Sequence, residues 1–207
     1  MIITQHGMAY SKVQVGDVIL SFNPVSRDYD SKAAKFGADV ALVSLNDGAF
    51  NGVENATFGA KEPFVVKGPG EYEVKDIFIR GFASEGPGGM INTVYSVMQD
   101  GIRICHLGGL AKPELKPEAV EGIGVVDVLF VPVGGNGVLG AKDACKIISM
   151  FEPKIVIPTM FDIKGDTAAL KTFLKECGEK NEAIVDKLSI KKKDLEGKDE
   201  EIIVIKS

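Results

Sequence analysis

Residues 40–50 have the sequence Val40-Ala41-Leu42-Val43-Ser44-Leu45-Asn46-Asp47-Gly48-Ala49-Phe50. The first four residues are apolar, and a short apolar run that ends in Ser, Asn, Asp and Gly is typical of a buried strand followed by a loop. The loop contains no histidine and a single carboxylate, Asp47. The segment therefore predicts a buried strand whose following loop carries few groups able to bind a metal or catalyse a reaction.

The composition is that of a soluble globular protein. The chain has 207 residues, of which 45% are hydrophobic and 26% are charged, which is enough to build a substantial core. No repeat, low-complexity segment or linker divides it, so we expect one domain over residues 1–207. The net charge of -5 argues against nucleic acid or an anionic membrane as the main partner, since both attract clustered Lys and Arg.

The chain ends and the cysteines favour a cytoplasmic protein. Residues 1–5 have neither a basic region nor a long apolar stretch, so we expect no secretion signal. No segment approaches the roughly 20 apolar residues of a membrane span. Cys105, Cys145 and Cys177 are widely separated. We expect them to pack in the core as free thiols, without a disulfide or a cysteine-based metal site.

The first half of the chain is rich in strand patterns. Predicted strands cover residues 12–15, 17–22, 63–66, 71–79, 92–98 and 102–106. The first two resemble a hairpin, and Gly68-Pro69-Gly70 predicts a turn. The tripeptide Gln99-Asp100-Gly101 contains Asp-Gly between two strand-like runs, which indicates a second hairpin.

The second half alternates between strand and helix patterns. Apolar residues at i, i+3, i+4 and i+7 predict helices over residues 141–151 and 166–177, and Pro117 opens a shorter candidate over 116–122. Predicted strands cover residues 125–133, 154–158, 188–190 and 201–206. Early strands followed by strand–helix alternation predict a layered α/β architecture.

Several motifs resemble the metallo-β-lactamase superfamily, and in particular its small bacterial branch of Zn-dependent hydrolases. The resembling stretches, in order, are Met1-Ile2-Ile3-Thr4, Gly68-Pro69-Gly70-Glu71-Tyr72-Glu73-Val74, Ile104-Cys105-His106-Leu107-Gly108, Val131-Pro132-Val133-Gly134-Gly135 and Glu152-Pro153-Lys154-Ile155-Val156-Ile157-Pro158. The resemblance runs from near residue 1 to about residue 162. It implies a four-layer αββα sandwich in which strand-end loops hold zinc at one edge.

This chain departs from the family pattern at those loops. Leu45 and Asp47 occupy the histidine slots of His-x-His, and Ala49 and Phe50 occupy the following Asp-His slots. Gly109 stands in place of the bridging Asp. Met160 stands in place of the histidine of Pro-x-His. The resemblance therefore implies a vestigial metal site at six positions: Leu45, Asp47, Ala49, Phe50, Gly109 and Met160.

Zinc requires about four close N, S or O donors, and a hydrolytic site also leaves one position open for water. Among the six positions only Asp47 offers a carboxylate, so we expect no zinc and no other cofactor. Apolar replacements also remove the desolvation and repulsion of crowded polar groups, and we expect them to fill the vacated volume as ordinary core.

The expected function is that of a catalytically inactive metallo-β-lactamase-fold protein with a binding or interaction role. Its partner is an unknown protein or a second copy of the chain, and the sequence does not distinguish the two. The alternative is a metal-dependent hydrolase that acts on a phosphodiester or a lactone-type ester through a rearranged site. Asp47, His106 and Asp162 are the candidates for that site. A nucleotide site at Gly134-Gly135-Asn136-Gly137 is disfavoured, because the loop lacks the P-loop ending and the Gly-x-Gly-x-x-Gly spacing.

Overall fold

The computed structural model describes residues 1–161, 168–178 and 183–207. The strands in this part of the chain are β1 (Ile2–Gln5), β2 (Ser11–Val15), β3 (Val18–Phe22), β4 (Val40–Leu42), β5 (Phe64–Val66), β6 (Gly70–Val74), β7 (Ile77–Glu85), β8 (Ile91–Gln99), β9 (Ile102–His106), β10 (Val128–Pro132), β11 (Ile155–Thr159), β12 (Ala183–Val185), β13 (Leu188–Ser189) and β14 (Glu201–Ile205). The α-helices are α1 (Pro117–Ile123), α2 (Ala141–Phe151) and α3 (Ala168–Glu176). None of these described helices is both long and apolar enough to cross a bilayer.

The strands form two sheets. The six-stranded sheet has the order β13-β1-β2-β3-β4-β5, and the eight-stranded sheet has the order β12-β14-β11-β10-β9-β8-β7-β6. The strands from β9 through β10 and β11 to β14 run parallel, so their carboxyl ends lie at one edge. Strands such as β10 are buried on both faces, which explains their nearly continuous apolar sequence.

Two apolar layers hold the sandwich together. The core between the sheets contains inward-facing residues of both, such as Phe22 and Leu42 from one sheet and Ile104 and Phe130 from the other. A second core lies between the eight-stranded sheet and the three helices. The expected α/β sandwich is confirmed. Within the described residues, a short 3-10 turn (Val53–Asn55) and loops cover small side chains on the outer face of the six-stranded sheet.

Most predicted elements are present. The β2–β3 and β8–β9 hairpins form where expected, and α2 has the predicted bounds. The single strand predicted over residues 71–79 is wrong, because β6 and β7 form a hairpin there. Lys75 and Asp76 both take positive φ at its turn, a conformation that Asn, Asp and Gly adopt most readily. Residues 168–176 of the helix predicted over 166–177 match α3, whereas residues 166 and 167 lie outside the described residues.

Asp39, immediately before β4, links the two sheets. Its buried carboxylate accepts hydrogen bonds from the ammonium groups of Lys61 and Lys75 and from the N–H of Ile19. Lys75 belongs to the β6–β7 turn, so this contact joins the eight-stranded sheet to the six-stranded one. Burial alone raises the pKa of Asp39, but these hydrogen bonds outweigh it and hold the pKa at about 2.

The expectation of three free thiols is wrong. Cys145 on α2 and Cys177 just after α3 form a disulfide, and only Cys105 is free in the described residues. Both bonded cysteines lie on the apolar faces of helices that pack side by side against the eight-stranded sheet. The sequence pattern placed each cysteine on such a face but gave no sign that the two faces meet.

Replacing Asp39 with Asn should lower the free energy of unfolding by about 2 kcal/mol at neutral pH. The pKa of Asp39 is depressed in the folded state, so its contribution is complete above the unfolded-state pKa near 3.8 and is lost as the pH falls through about 2. Urea denaturation of both proteins should show a difference at neutral pH that disappears near pH 2. Asp143→Asn, which removes an exposed pair with Lys146, is the control and should cost under about 0.5 kcal/mol. A pH-independent Asp39→Asn effect would contradict this assignment.

Reduction of the disulfide should destabilise the protein by about 3 kcal/mol, because the bond closes a loop between residues 32 positions apart. Thiol titration in denaturant should find one reactive cysteine before reduction and three after it. Denaturation of Cys145→Ser/Cys177→Ser beside the oxidised wild type measures the stability change. Three reactive thiols without reductant would show that the bond is absent.

Candidate functional site

The vestigial positions lie on three loops that follow β4, β9 and β11. The structure brings four of the side chains into one buried apolar cluster, which we call the plug. Its members are Ala9, Leu45, Ala49, Phe50, Val138 and Met160, with Met8 packed against them. Each of these six plug residues is less than a tenth exposed to solvent. The loops after β1, β4, β10 and β11 thus meet at one place, and the side chains that meet there are apolar.

Gly109 and Gly86 make room for the plug. A Cβ on Gly109 would lie 2.4 Å from Leu45 Cδ1 and 3.0 Å from Phe50 Cζ. A Cβ on Gly86 would lie 2.9 Å from Leu45 Cδ2. Carbon atoms do not approach so closely without displacement, and the interior is densely packed. Leu45 therefore occupies the volume that a side chain at position 109 would need.

Asp47 is exposed and does not join the plug. Its carboxylate accepts the N–H of Ala49 at 2.9 Å, and its carbonyl accepts the N–H groups of Phe50 and Asn51. These bonds form a tight turn of the kind that Asp side chains commonly stabilise. The one carboxylate among the six positions thus serves its own loop.

Two buried asparagines hold the loops in place. Asn92 accepts the N–H of Gly109 through Oδ1 at 2.9 Å and donates to the carbonyl of Leu107 at 2.9 Å. Asn23 accepts the N–H of Ser44 at 2.8 Å. Their bonds satisfy buried backbone groups of both loops, which would otherwise be costly. Neither asparagine was predicted from the sequence, because its role depends on residues far away along the chain.

His106 is fully buried at the end of β9. Its ring stacks between Phe22 and Phe130, with centroid distances of 5.1 and 4.9 Å, and its Nδ1 accepts the N–H of Gly108 at 3.0 Å. Burial lowers its pKa to about 3, against a smaller opposing effect of the Ala9 backbone. The imidazole is therefore neutral at physiological pH and shielded from solvent.

The proposed alternative site is not assembled by the residues that the structure describes. No hydrogen bond or ion pair joins the exposed Asp47 to the buried His106 within those ranges. Asp162, the third candidate, lies outside the described residues. A general base must reach its substrate or a water, and His106 is enclosed by aromatic rings.

The residues at the vestigial positions do not fit zinc. The apolar side chains of the plug and Gly109 supply no N or O donor, and the Met160 thioether suits softer metals. Across residues 1–161, 168–178 and 183–207, no group of three or more His, Cys, Asp or Glu side chains lies close enough to hold a metal ion. The side chains at these positions are therefore a poor match for the N and O ligands that zinc prefers.

A cleft of about 470 Å³ lies beside the plug. It is bounded by the loop after β4, the loop after β5 and the start of β8. Its lining includes Asn46, Asn51, Lys67, Pro69, Ile91 and Thr93, together with Leu45 itself. Sequence reasoning did not find this cleft, because only the tertiary structure brings the segments that line it together.

The comparisons with known proteins agree with this fold. Residues 3–160 match the β-lactamase superfamily domain. The crystal structure of a protein from Thermotoga maritima, described as a Zn-dependent hydrolase of the metallo-β-lactamase superfamily, is 26% identical with a TM-score of 0.76 and covers 99% of this chain and 97% of its own. The fold also resembles that of Igni18, a metallo hydrolase from Ignicoccus hospitalis, at 14% identity and a TM-score of 0.66, over 99% of this chain and 94% of that one.

Two curated relatives come from Pyrococcus furiosus. One UPF0173 protein is 34% identical over 42% of this chain and 40% of its own length. A UPF0173 metal-dependent hydrolase is 31% identical over 44% of this chain and 41% of its own. The chain thus matches only about two-fifths of the length of these relatives. The resemblance noted in the sequence is confirmed: the chain belongs to the β-lactamase superfamily and has the metallo-β-lactamase fold.

Proposed function

We propose that this chain is a metal-free, non-hydrolytic member of its superfamily, a pseudoenzyme that binds a ligand or partner. The observation that carries the proposal is the position of Leu45, which fills the space between Gly86 and Gly109 where the family pattern has metal ligands. Relatives are described as metal-dependent hydrolases. In this proposal the chain shares their fold and differs from them in the side chains at the metal-ligand positions.

The chemistry of hydrolysis supports the proposal. In a zinc hydrolase the metal lowers the pKa of a bound water to about 7 and polarises the scissile bond. The plug leaves neither donors for the metal nor space for the water. His106 is neutral and enclosed, and its pKa of about 3 makes it a poor base. We therefore assign no catalytic role to His106 or Asp47.

The open cleft supports a binding role. It borders the plug at the edge where hydrolases of the family hold their metal, and Lys67 is the one charged residue among the described residues that line it. A ligand can therefore be held there without a group that would cleave it.

Elemental analysis of protein purified without chelator tests the proposal. We expect fewer than about 0.1 zinc, iron or manganese ions per chain, because a single carboxylate cannot offset the dehydration of a divalent ion. The UPF0173 metal-dependent hydrolase of Pyrococcus furiosus, purified in parallel, is the positive control. Assays with bis(4-nitrophenyl) phosphate, a phosphodiester, and with a γ-lactone should show no turnover above buffer. Stoichiometric metal with turnover would instead support the rearranged hydrolase site.

Gly109→Ala should lower the free energy of unfolding by about 1–3 kcal/mol, because its methyl group overlaps Leu45 in a packed interior. Gly109 does not have positive φ, so the effect is steric and not conformational. Gly140→Ala is the matched control: a Cβ there meets no atom within 4 Å, and it should cost under about 0.5 kcal/mol.

A double-mutant cycle isolates the contact. Leu45→Ala leaves a cavity, and the added methyl group at position 109 should fill part of it. Urea denaturation should therefore show that the double variant is more stable than the sum of the single effects by about 1 kcal/mol or more. Additive effects would mean that Leu45 and Gly109 do not compete for the same space.

A further inference from the structure

The cleft beside the plug has a lining whose chemistry restricts its ligand. Lys67 is exposed and forms no ion pair within the described residues, and no acidic side chain lines the cleft. The volume of about 470 Å³ lies within the range of small-molecule sites. A single positive charge without a balancing carboxylate favours an anionic ligand.

The polar groups of the cleft fit a carboxylate. Asn51 donates from Nδ2 to Asn46 Oδ1 at 2.8 Å, which fixes the orientation of both amides. The Asn46 amide nitrogen is then a donor with no intramolecular acceptor in the part of the chain that the structure describes. One ammonium and one neutral amide match the two oxygens of a monoanion.

A phosphate group fits the cleft less well. Phosphate sites commonly use several backbone N–H groups that point into one concavity. Here the N–H of Gly68 donates to the Tyr95 hydroxyl at 3.0 Å, and Pro69 has no N–H. A dianion would therefore meet one lysine, and neither Gly68 nor Pro69 would offer it a free N–H.

Apolar side chains form another part of the lining. The side chain of Ile91 is 72% exposed at the start of β8, and Pro69 is also exposed. An exposed isoleucine beside an unpaired lysine suits a molecule with a charged end and an apolar body, because burial of the apolar body is favourable.

From these groups we infer that the cleft binds a small amphipathic carboxylate, with its head on Lys67 and Asn46 and its apolar chain over Ile91. This inference rests on the proposed binding function and specifies its ligand class. No histidine, cysteine or carboxylate side chain lines the cleft within the described residues, so the ligand is held without reaction.

Titration of the ¹⁵N-labelled protein with sodium hexanoate, and separately with hexanamide, tests the inference by amide chemical shifts. Hexanoate should shift the amides of residues 44–46, 67–68 and 91–93. Lys67→Gln should weaken hexanoate binding about three- to tenfold and leave hexanamide binding unchanged, because only the carboxylate uses the ammonium group. Lys142→Gln on α2, which removes an exposed lysine outside the cleft, should change neither.

Three outcomes would overturn the inference. The first is the absence of chemical-shift changes up to about 50 mM hexanoate, since a specific site of this kind should bind more tightly than that. The second is chemical-shift changes at residues outside the cleft. The third is an equal effect of Lys67→Gln on the binding of hexanoate and of hexanamide. The metal content of the same sample separates the two proposals. A metal-free protein that ignores hexanoate disproves the ligand class alone, whereas a stoichiometric metal ion with intact hexanoate binding in the cleft disproves the metal-free function alone.

Discussion

The space between the loop after β4 and the backbone of Gly109 can hold only one side chain. The packing of this edge of the sandwich depends on whether position 45 or position 109 provides that side chain. Leu45 supplies it here, so positions 109 and 86 must lack a Cβ. Ala49, Phe50 and Met160 then complete a buried apolar cluster. A metal site at the same place would need polar side chains that converge from both loops, and the two arrangements exclude each other sterically.

Hydrogen bonds within the chain position these loops. Asn92 and Asn23 bind the backbone of the loops after β9 and β4, and the Tyr95 hydroxyl donates to the carbonyl of Val43 at 2.8 Å. Burial raises the pKa of Tyr95 to about 12, so this hydroxyl keeps its proton. In a metal enzyme the ion would also join the loops. In this chain, hydrogen bonds lie beneath the loops and apolar side chains pack between them.

Local signals predicted much of the fold, and long-range contacts explain most of what they missed. Asp100-Gly101 marked the β8–β9 hairpin because these residues take positive φ easily, whereas Lys75-Asp76 makes a similar turn with a residue that gives no such signal. The Cys145–Cys177 bond depends on how two helices pack, which periodicity does not specify. The six vestigial positions were located only through the family resemblance. The cleft was missed because Asn46, Lys67 and Ile91 are brought together by tertiary structure alone.

The steric exclusion also bears on how such a site can change. A histidine at position 45 without other changes would bury a polar ring in an apolar cluster with few partners, which is costly. An Asp at position 109 would overlap Leu45 unless that residue became smaller. Each single step back toward a metal site is therefore destabilising, although the combined change need not be. Close packing makes these positions a coupled set. The packing of Leu45 against Gly86 and Gly109 is the contact through which this coupling acts.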